Sequence, residues 1–202
     1  LLGGVVTLAD GAQGLFFTGG IAHDPRLGAI SGAGPGIDRA LRRVRHPGRM
    51  ADDSRPADVR VDTYRRGDAR TRVTRVSTGT DTGRSFVLVA GIGVASSYFE
   101  YLAPLLAEEG EVYALDLPGF GGVPASGEHP TARFFADQVE GVLDHYGLTE
   151  PVLIGHSMGT QVVTEVLARR RDLTHAVLVS PVVDETESTA LLQAVRFVQS
   201  TV

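Results

Sequence analysis

Four short, nearly continuous apolar runs restrict most how this chain can fold: residues 85–90 (SFVLVA), 112–117 (VYALDL), 151–155 (PVLIG) and 176–180 (AVLVS). Runs of five or six residues are too short for buried helices and too apolar for strands with one wet face. They predict strands covered on both sides. Between them lie stretches with helical spacing of apolar residues, 98–109, 131–146 and 158–170. Strands that alternate with helices are joined by crossovers, so the sheet is expected to be parallel with right-handed connections. Ser96 and Ser97 are placed to cap the first helix, and Gly110 and Gly147 to end the first two in a left-handed residue.

Upstream of these runs, residues 59–65 and 72–77 alternate apolar and polar side chains around Arg66-Gly67-Asp68. That pattern predicts a solvated antiparallel hairpin. The expected fold class is therefore α/β: a doubly wound, mostly parallel sheet with an antiparallel N-terminal hairpin. Residues 1–49 differ, with Gly pairs, a Gly-Ala-Gly-Pro-Gly run at 32–36 and arginines clustered from Arg39 to Arg49. No helical or strand periodicity is sustained there, so an irregular Gly/Arg-rich extension is expected. Met50 followed by a polar lead-in reads as the natural start, with the preceding residues an extension or an upstream reading-frame artefact. The glycine run is a plain loop on this reading, because it lacks the GxGxxG spacing and Pro35 removes a phosphate-facing amide.

Composition narrows the function. The net charge is −5 and all 19 basic residues are Arg, so no dominating basic field favours nucleic acid. A small neutral or apolar substrate fits better. The absence of cysteine excludes disulfides, thiolate metal sites and a cysteine nucleophile together. The N-terminal stretch lacks the ordered regions of a signal peptide, and Asp10 interrupts its apolar segment. No membrane span and a cytoplasmic location are expected. Oligomeric state is left open.

One motif carries chemistry. Gly155-His156-Ser157-Met158-Gly159 sits where a buried strand meets a helix. In GxSxG at such a junction the chain reverses so sharply that the residues two before and two after the serine must lack side chains. The serine hydroxyl is then lifted clear of the sheet. The amide of Met158 and the positive end of the helix dipole face an incoming carbonyl oxygen. The alternative is a serine that merely caps the helix after a Gly turn.

Three ordered blocks, VLVAGIG at 87–93, ALDLPGFGG at 114–122 and LIGHSMGT at 153–160, together resemble the α/β-hydrolase fold family over roughly residues 59–202. The resemblance implies a serine nucleophile at Ser157. It also implies an oxyanion hole built from the amides of Ile92 and Met158, and a pocket touched by Gly91 and Phe120. The family's usual His-Gly-x-Gly is here Ala90-Gly91-Ile92-Gly93, which keeps the glycines and loses the histidine that commonly braces the loop. Alternative readings are a simple strand-to-helix turn for Gly91–Gly93 and ordinary core packing for Phe120. The turn at Asp116–Gly121 is read as structural.

A serine hydroxyl needs an imidazole within hydrogen-bond reach. His23 and His46 fall in the irregular extension, His145 near a helix end, and His175 before its strand, at the wrong sheet edge. The elbow should turn His156 away from its neighbour, and His129 reads as a surface loop residue. In the resembled family the acid and then the histidine follow the serine on later loops. Asp184 reads as a solvated carboxylate rather than an early acid. Residues 50–181 are therefore expected to form a partial α/β-hydrolase core and 182–202 the start of a cap, in a fragment that is inactive alone.

The expected activity of the complete protein is hydrolysis of small carboxylic esters or related acyl compounds through an acyl-enzyme, with no metal or organic cofactor. The nearest alternatives are a carbon–carbon bond hydrolase of the same fold and a non-catalytic binding module. Epoxide hydrolase and dehalogenase chemistry is disfavoured, because it calls for Asp where Ser157 stands.

Overall fold

The expected runs become strands whose side chains alternate between two covered faces. The computed structural model describes residues 5–8, 57–80 and 82–181. In chain order the strands are β1 (Val5–Leu8), β2 (Asp58–Arg66), β3 (Ala69–Ser77), β4 (Ser85–Val89), β5 (Glu111–Asp116), β6 (Val152–His156) and β7 (Ala176–Val179). They form one sheet in the order β1-β7-β6-β4-β5-β3-β2. The pairs β4–β5, β4–β6 and β6–β7 are parallel; β2–β3, β3–β5 and β1–β7 are antiparallel. This is the expected mixed α/β sheet with an antiparallel hairpin.

Continuous apolarity is explained by the pleat, which sends successive side chains to opposite faces. Val87 and Val89 of β4 join one core, with Tyr113, Leu115, Leu153 and Leu178. Phe86 and Leu88 of the same strand join the other, with Val112, Ala114, Ile154 and Val177. Helices α2 (Ala132–Tyr146) and α3 (Met158–Arg169) cover the first face through Phe135, Val139, Val142, Leu143, Val162, Val163 and Val166. Helix α1 (Leu102–Ala107) covers the second through Ala103, Leu106 and Ala107.

Helix α2 begins and ends as its sequence suggests. The hydroxyl of Thr131 accepts from the Phe134 amide at 3.1 Å, and Gly147 closes the helix at φ 65° while the Leu148 amide donates back to the Leu143 carbonyl.

Several expectations are corrected. The first helix does not run unbroken over 98–109: a 3₁₀ turn at Ser96–Phe99 precedes α1. Pro104 has no amide to offer the Glu100 carbonyl, so a continuous helix would lose a bond there; at the third position of α1 the proline is tolerated. Neither Ser96 nor Ser97 caps a helix, and the Ser96 hydroxyl instead donates to Asp116. Gly110 is not a left-handed terminator. It is glycine because the Arg84 carbonyl passes close by: an added Cβ would lie 2.4 Å from that oxygen.

The hairpin is not solvated throughout. β2 is exposed along nearly its whole length, but β3 lies inside the sheet against β5 and buries Ala69, Thr71 and Val73. Within the stretch expected to be irregular, Val5–Leu8 forms β1 on the β7 edge. The rest of that stretch, the start at Met50 and the expected cap at 182–202 lie outside the described residues. No helix among the described residues is long and apolar enough to cross a membrane.

The contact at Gly110 yields a test. Gly110→Ala should destabilise the fold by about 1–3 kcal/mol, the usual cost of overpacking. A urea unfolding midpoint no lower than that of the parent protein would contradict it.

Candidate active site

The parallel strands end together, and the loops that leave their C-terminal ends bring the motif residues to one edge of the sheet. β6 delivers Ser157 and α3 departs from the next residue, Met158. Ser157 has φ 53° and ψ −120°, a conformation that residues with a Cβ rarely adopt. Both flanking glycines are demanded by close backbone approach. A Cβ on Gly155 would lie 2.6 Å from the Gly159 carbonyl oxygen, and one on Gly159 only 2.2 Å from that of Val89.

The serine occupies the N-cap position of α3, yet its side chain accepts no capping hydrogen bond. Its backbone is held on both sides: its amide donates to the Val179 carbonyl at 3.0 Å, and its carbonyl accepts from the Thr160 amide and, at 2.6 Å, from the buried Thr160 hydroxyl. Ser157 is half-buried, and its side chain is not committed to a cap.

The loop after β4 faces this elbow. Gly91 runs so close that an added Cβ would stand 3.0 Å from the Cβ of Ser157. Gly91 to Val94 closes as a turn with the Val94 amide donating to the Gly91 carbonyl at 3.3 Å, and Gly93 at φ 71° takes the position that needs a left-handed residue in a type II turn. Ile92, at the turn's first corner, is exposed. Among the described residues neither the Ile92 amide nor the Met158 amide has a hydrogen-bond partner. Phe120 is partly buried, its ring against Phe135, within the same cluster that Met158 touches.

Two groups hold this arrangement: Asp116, the first residue of the turn read as structural, and Tyr98, which no motif singled out. Asp116, at the end of β5, is fully buried and sits at the centre of a polar knot. Its carboxylate accepts from the Ser96 amide, from the Ser96 hydroxyl at 2.9 Å and from the Arg72 guanidinium at 2.8 Å; Arg72 in turn donates to the Gly121 carbonyl. One carboxylate thereby ties the loop that carries Ile92 to β3 and to the turn after β5. The second group is Tyr98. Its ring stacks on the His156 imidazole with centroids 4.5 Å apart, and its hydroxyl lies 3.2 Å from Nε2. Nδ1 of His156 is buried without a partner, and burial lowers the pKa of this imidazole below the ordinary histidine value.

No described hydrogen bond links a histidine to the Ser157 hydroxyl. His145 packs between Tyr64 and Tyr146 at the end of α2, His175 precedes β7 beside Thr174, and His129 is exposed in the loop before α2. His23, His46 and Asp184 lie outside the described residues. Among the described residues no group of three or more His, Asp or Glu side chains is arranged to hold a metal ion.

Two measurements check this geometry. Asp116→Ala leaves the Ser96 donors and Arg72 without their acceptor, and should cost about 2 kcal/mol; partial exposure of Arg72 keeps the loss at the low end for a broken buried pair. An unchanged denaturant midpoint would refute the knot. For His156, the depressed pKa means the unfolded chain binds the proton more readily than the folded one. Its contribution to stability is complete above the ordinary histidine pKa and is lost as pH falls below it. The melting temperature should therefore fall more steeply between about pH 7 and 5 for the parent protein than for His156→Gln.

Comparison with known proteins agrees with this architecture. Residues 86–200, more than half of the chain, match the model of the alpha/beta hydrolase family. An uncharacterized hydrolase, YugF, of Bacillus subtilis is 36% identical over 80 residues, covering 39% of this chain and 29% of that relative. The chain's match thus spans under a third of the relative's length. Among solved structures, an alpha/beta hydrolase from Novosphingobium aromaticivorans superposes with a TM-score of 0.55 at 23% identity, covering 61% of this chain and 44% of that one. An N-acyl homoserine lactonase, AidH, gives 0.52 at 21% identity, over 57% and 42%. These two likenesses speak for the fold, and the family match extends from β4 through the elbow: the chain belongs to the alpha/beta hydrolase family.

Proposed function

We propose that Ser157 is the nucleophile of a serine hydrolase that acts on small carboxylic esters or related acyl compounds. The observation that carries this reading is the state of the serine: a strained backbone, a hydroxyl with no capping bond, and a helix that starts at the next residue. A serine that served only as a cap would use its hydroxyl to accept from the first turn of the helix, as Thr131 does for α2. Strain kept without a local hydrogen bond is what a group held ready for reaction requires.

On this reading the Ser157 oxygen attacks the substrate's carbonyl carbon and passes its proton to an imidazole. The carbonyl electron pair moves onto oxygen, where the amides of Ile92 and Met158 and the positive end of the α3 dipole stabilise it. Collapse expels the alcohol, protonated by the same imidazole, and leaves an acyl-enzyme. Water then attacks with the imidazole as base, releasing the acid and restoring the serine. The imidazole is supplied from outside residues 57–181, since the described histidines have other partners or lie exposed. No metal or organic cofactor enters these steps. His156 keeps its ring against Tyr98 and takes no proton from Ser157.

The test is covalent. In the full-length protein a fluorophosphonate should label Ser157, and short nitrophenyl esters should be turned over. Ser157→Ala should abolish labelling and lower ester turnover by about 10⁴–10⁶-fold. A folded protein that is never labelled would be a binding module instead, and turnover of a ring-cleavage diketone without ester turnover would transfer the chemistry to carbon–carbon bond hydrolysis.

A further inference from the structure

Among the described residues two that are not glycine hold a positive φ, and both are serines: Ser157 at 53° and Ser180 at 50°. They end neighbouring parallel strands, β6 and β7. The register pairs His156 with Val179, so the next step along each strand sets Ser180 beside Ser157 at the same edge of the sheet. A hydrogen bond from the Ser157 amide to the Val179 carbonyl, 3.0 Å long, joins the two strand ends.

The conformation of Ser180 runs against two local preferences. The strand before it is extended, and Pro181 after it should hold its predecessor in an extended conformation as well. Where this chain needs only a left-handed turn it uses glycine, as at Gly67, Gly93 and Gly147. A glycine at 180 would make the same turn without strain. The serine retains a hydroxyl that, among the described residues, has no hydrogen-bond partner, on a half-buried residue next to the nucleophile. Strain that a smaller residue would relieve, kept beside a reactive group, marks a side chain retained for what it contacts.

We propose that Ser180 is a substrate-binding residue of this site, its hydroxyl hydrogen-bonding the ester bound at Ser157. The inference rests on the reading of Ser157 as nucleophile. It adds a polar contact on the β7 side, opposite the β4 loop that carries Ile92.

Two variants of the full-length protein test it against a short nitrophenyl ester. Ser180→Ala keeps the strain and removes only the hydroxyl; Ser180→Gly removes both. Each should lower kcat/KM by about tenfold, the worth of one substrate hydrogen bond. The loss should appear mainly in KM, while the rate at which saturating fluorophosphonate labels Ser157 stays near that of the parent. Ser180→Gly should also melt a few degrees above Ser180→Ala, because the strain is gone. If Ser180→Ala folds poorly, Ser180→Gly decides: a stable variant with impaired KM supports the role. Parental kcat/KM in a stable Ser180→Gly overturns it and leaves Ser157 as nucleophile. A parent protein without Ser157-dependent turnover overturns both readings together.

Discussion

The site depends on one close approach of backbone to backbone. Gly159, in the first turn of α3, lies against the carbonyl oxygens of Val89 and Ala90, at the end of β4. Gly155, one strand over, lies against the Gly159 carbonyl. With any side chain at either position the helix could not fold back over the strand it leaves, and the reversal that strains Ser157 would open. Because β4 and β6 are hydrogen-bonded neighbours, with Val89 paired to Gly155, that reversal also brings the β4 loop to Ser157. The Ile92 and Met158 amides proposed for the oxyanion therefore come from chain segments whose separation is fixed by packing rather than by flexible side chains. Such preorganisation is what makes backbone donors effective in acyl transfer.

Around this apolar scaffold the polar groups are few and shared. Asp116 serves Ser96, and Arg72 reaches from the carboxylate to the Gly121 carbonyl, so one buried carboxylate fastens two loops, which have no regular ladder of their own, to strand β3. The partner cation is partly exposed, which lessens its desolvation while the carboxylate stays dry. Tyr98 and His156 add a second link between the β4 loop region and the elbow, made by stacking as much as by the hydrogen bond. The Asp116 knot and the Tyr98–His156 stack join residues 20 and 58 positions apart in sequence, and both converge on the segment that follows Ile92.

Much of the fold was legible because its signals are local. Continuous apolar runs marked β4 to β7 within a residue or two of their ends, and Thr131 and Gly147 marked the limits of α2. Apart from the first helix, which Pro104 interrupts locally, the structure departs from these local signals where a partner distant in sequence overrides them. Ser96 had the chemistry of a cap, but a buried carboxylate competed for its donors. Gly110 looked like a terminator, but the nearness of the Arg84 carbonyl accounts for it. β3 read as a wet hairpin strand, but β5 covers its other edge and the core takes one of its faces. Ser180 gave no signal at all, since a serine at a strand end is unremarkable until its φ and its neighbour are known.

By itself the amino-acid order determined the succession of strands and helices and the sharp bend at Gly155–Gly159, because period, caps and steric permission act over a few residues. Only the tertiary structure decided the order of the strands in the sheet, the clamp at Asp116, the stacking of Tyr98 on His156 and the placing of Ser180 beside Ser157. Those depend on which strand lies next to which and in what register. That choice is made by the summed burial of two faces at once, and no short window of sequence contains it.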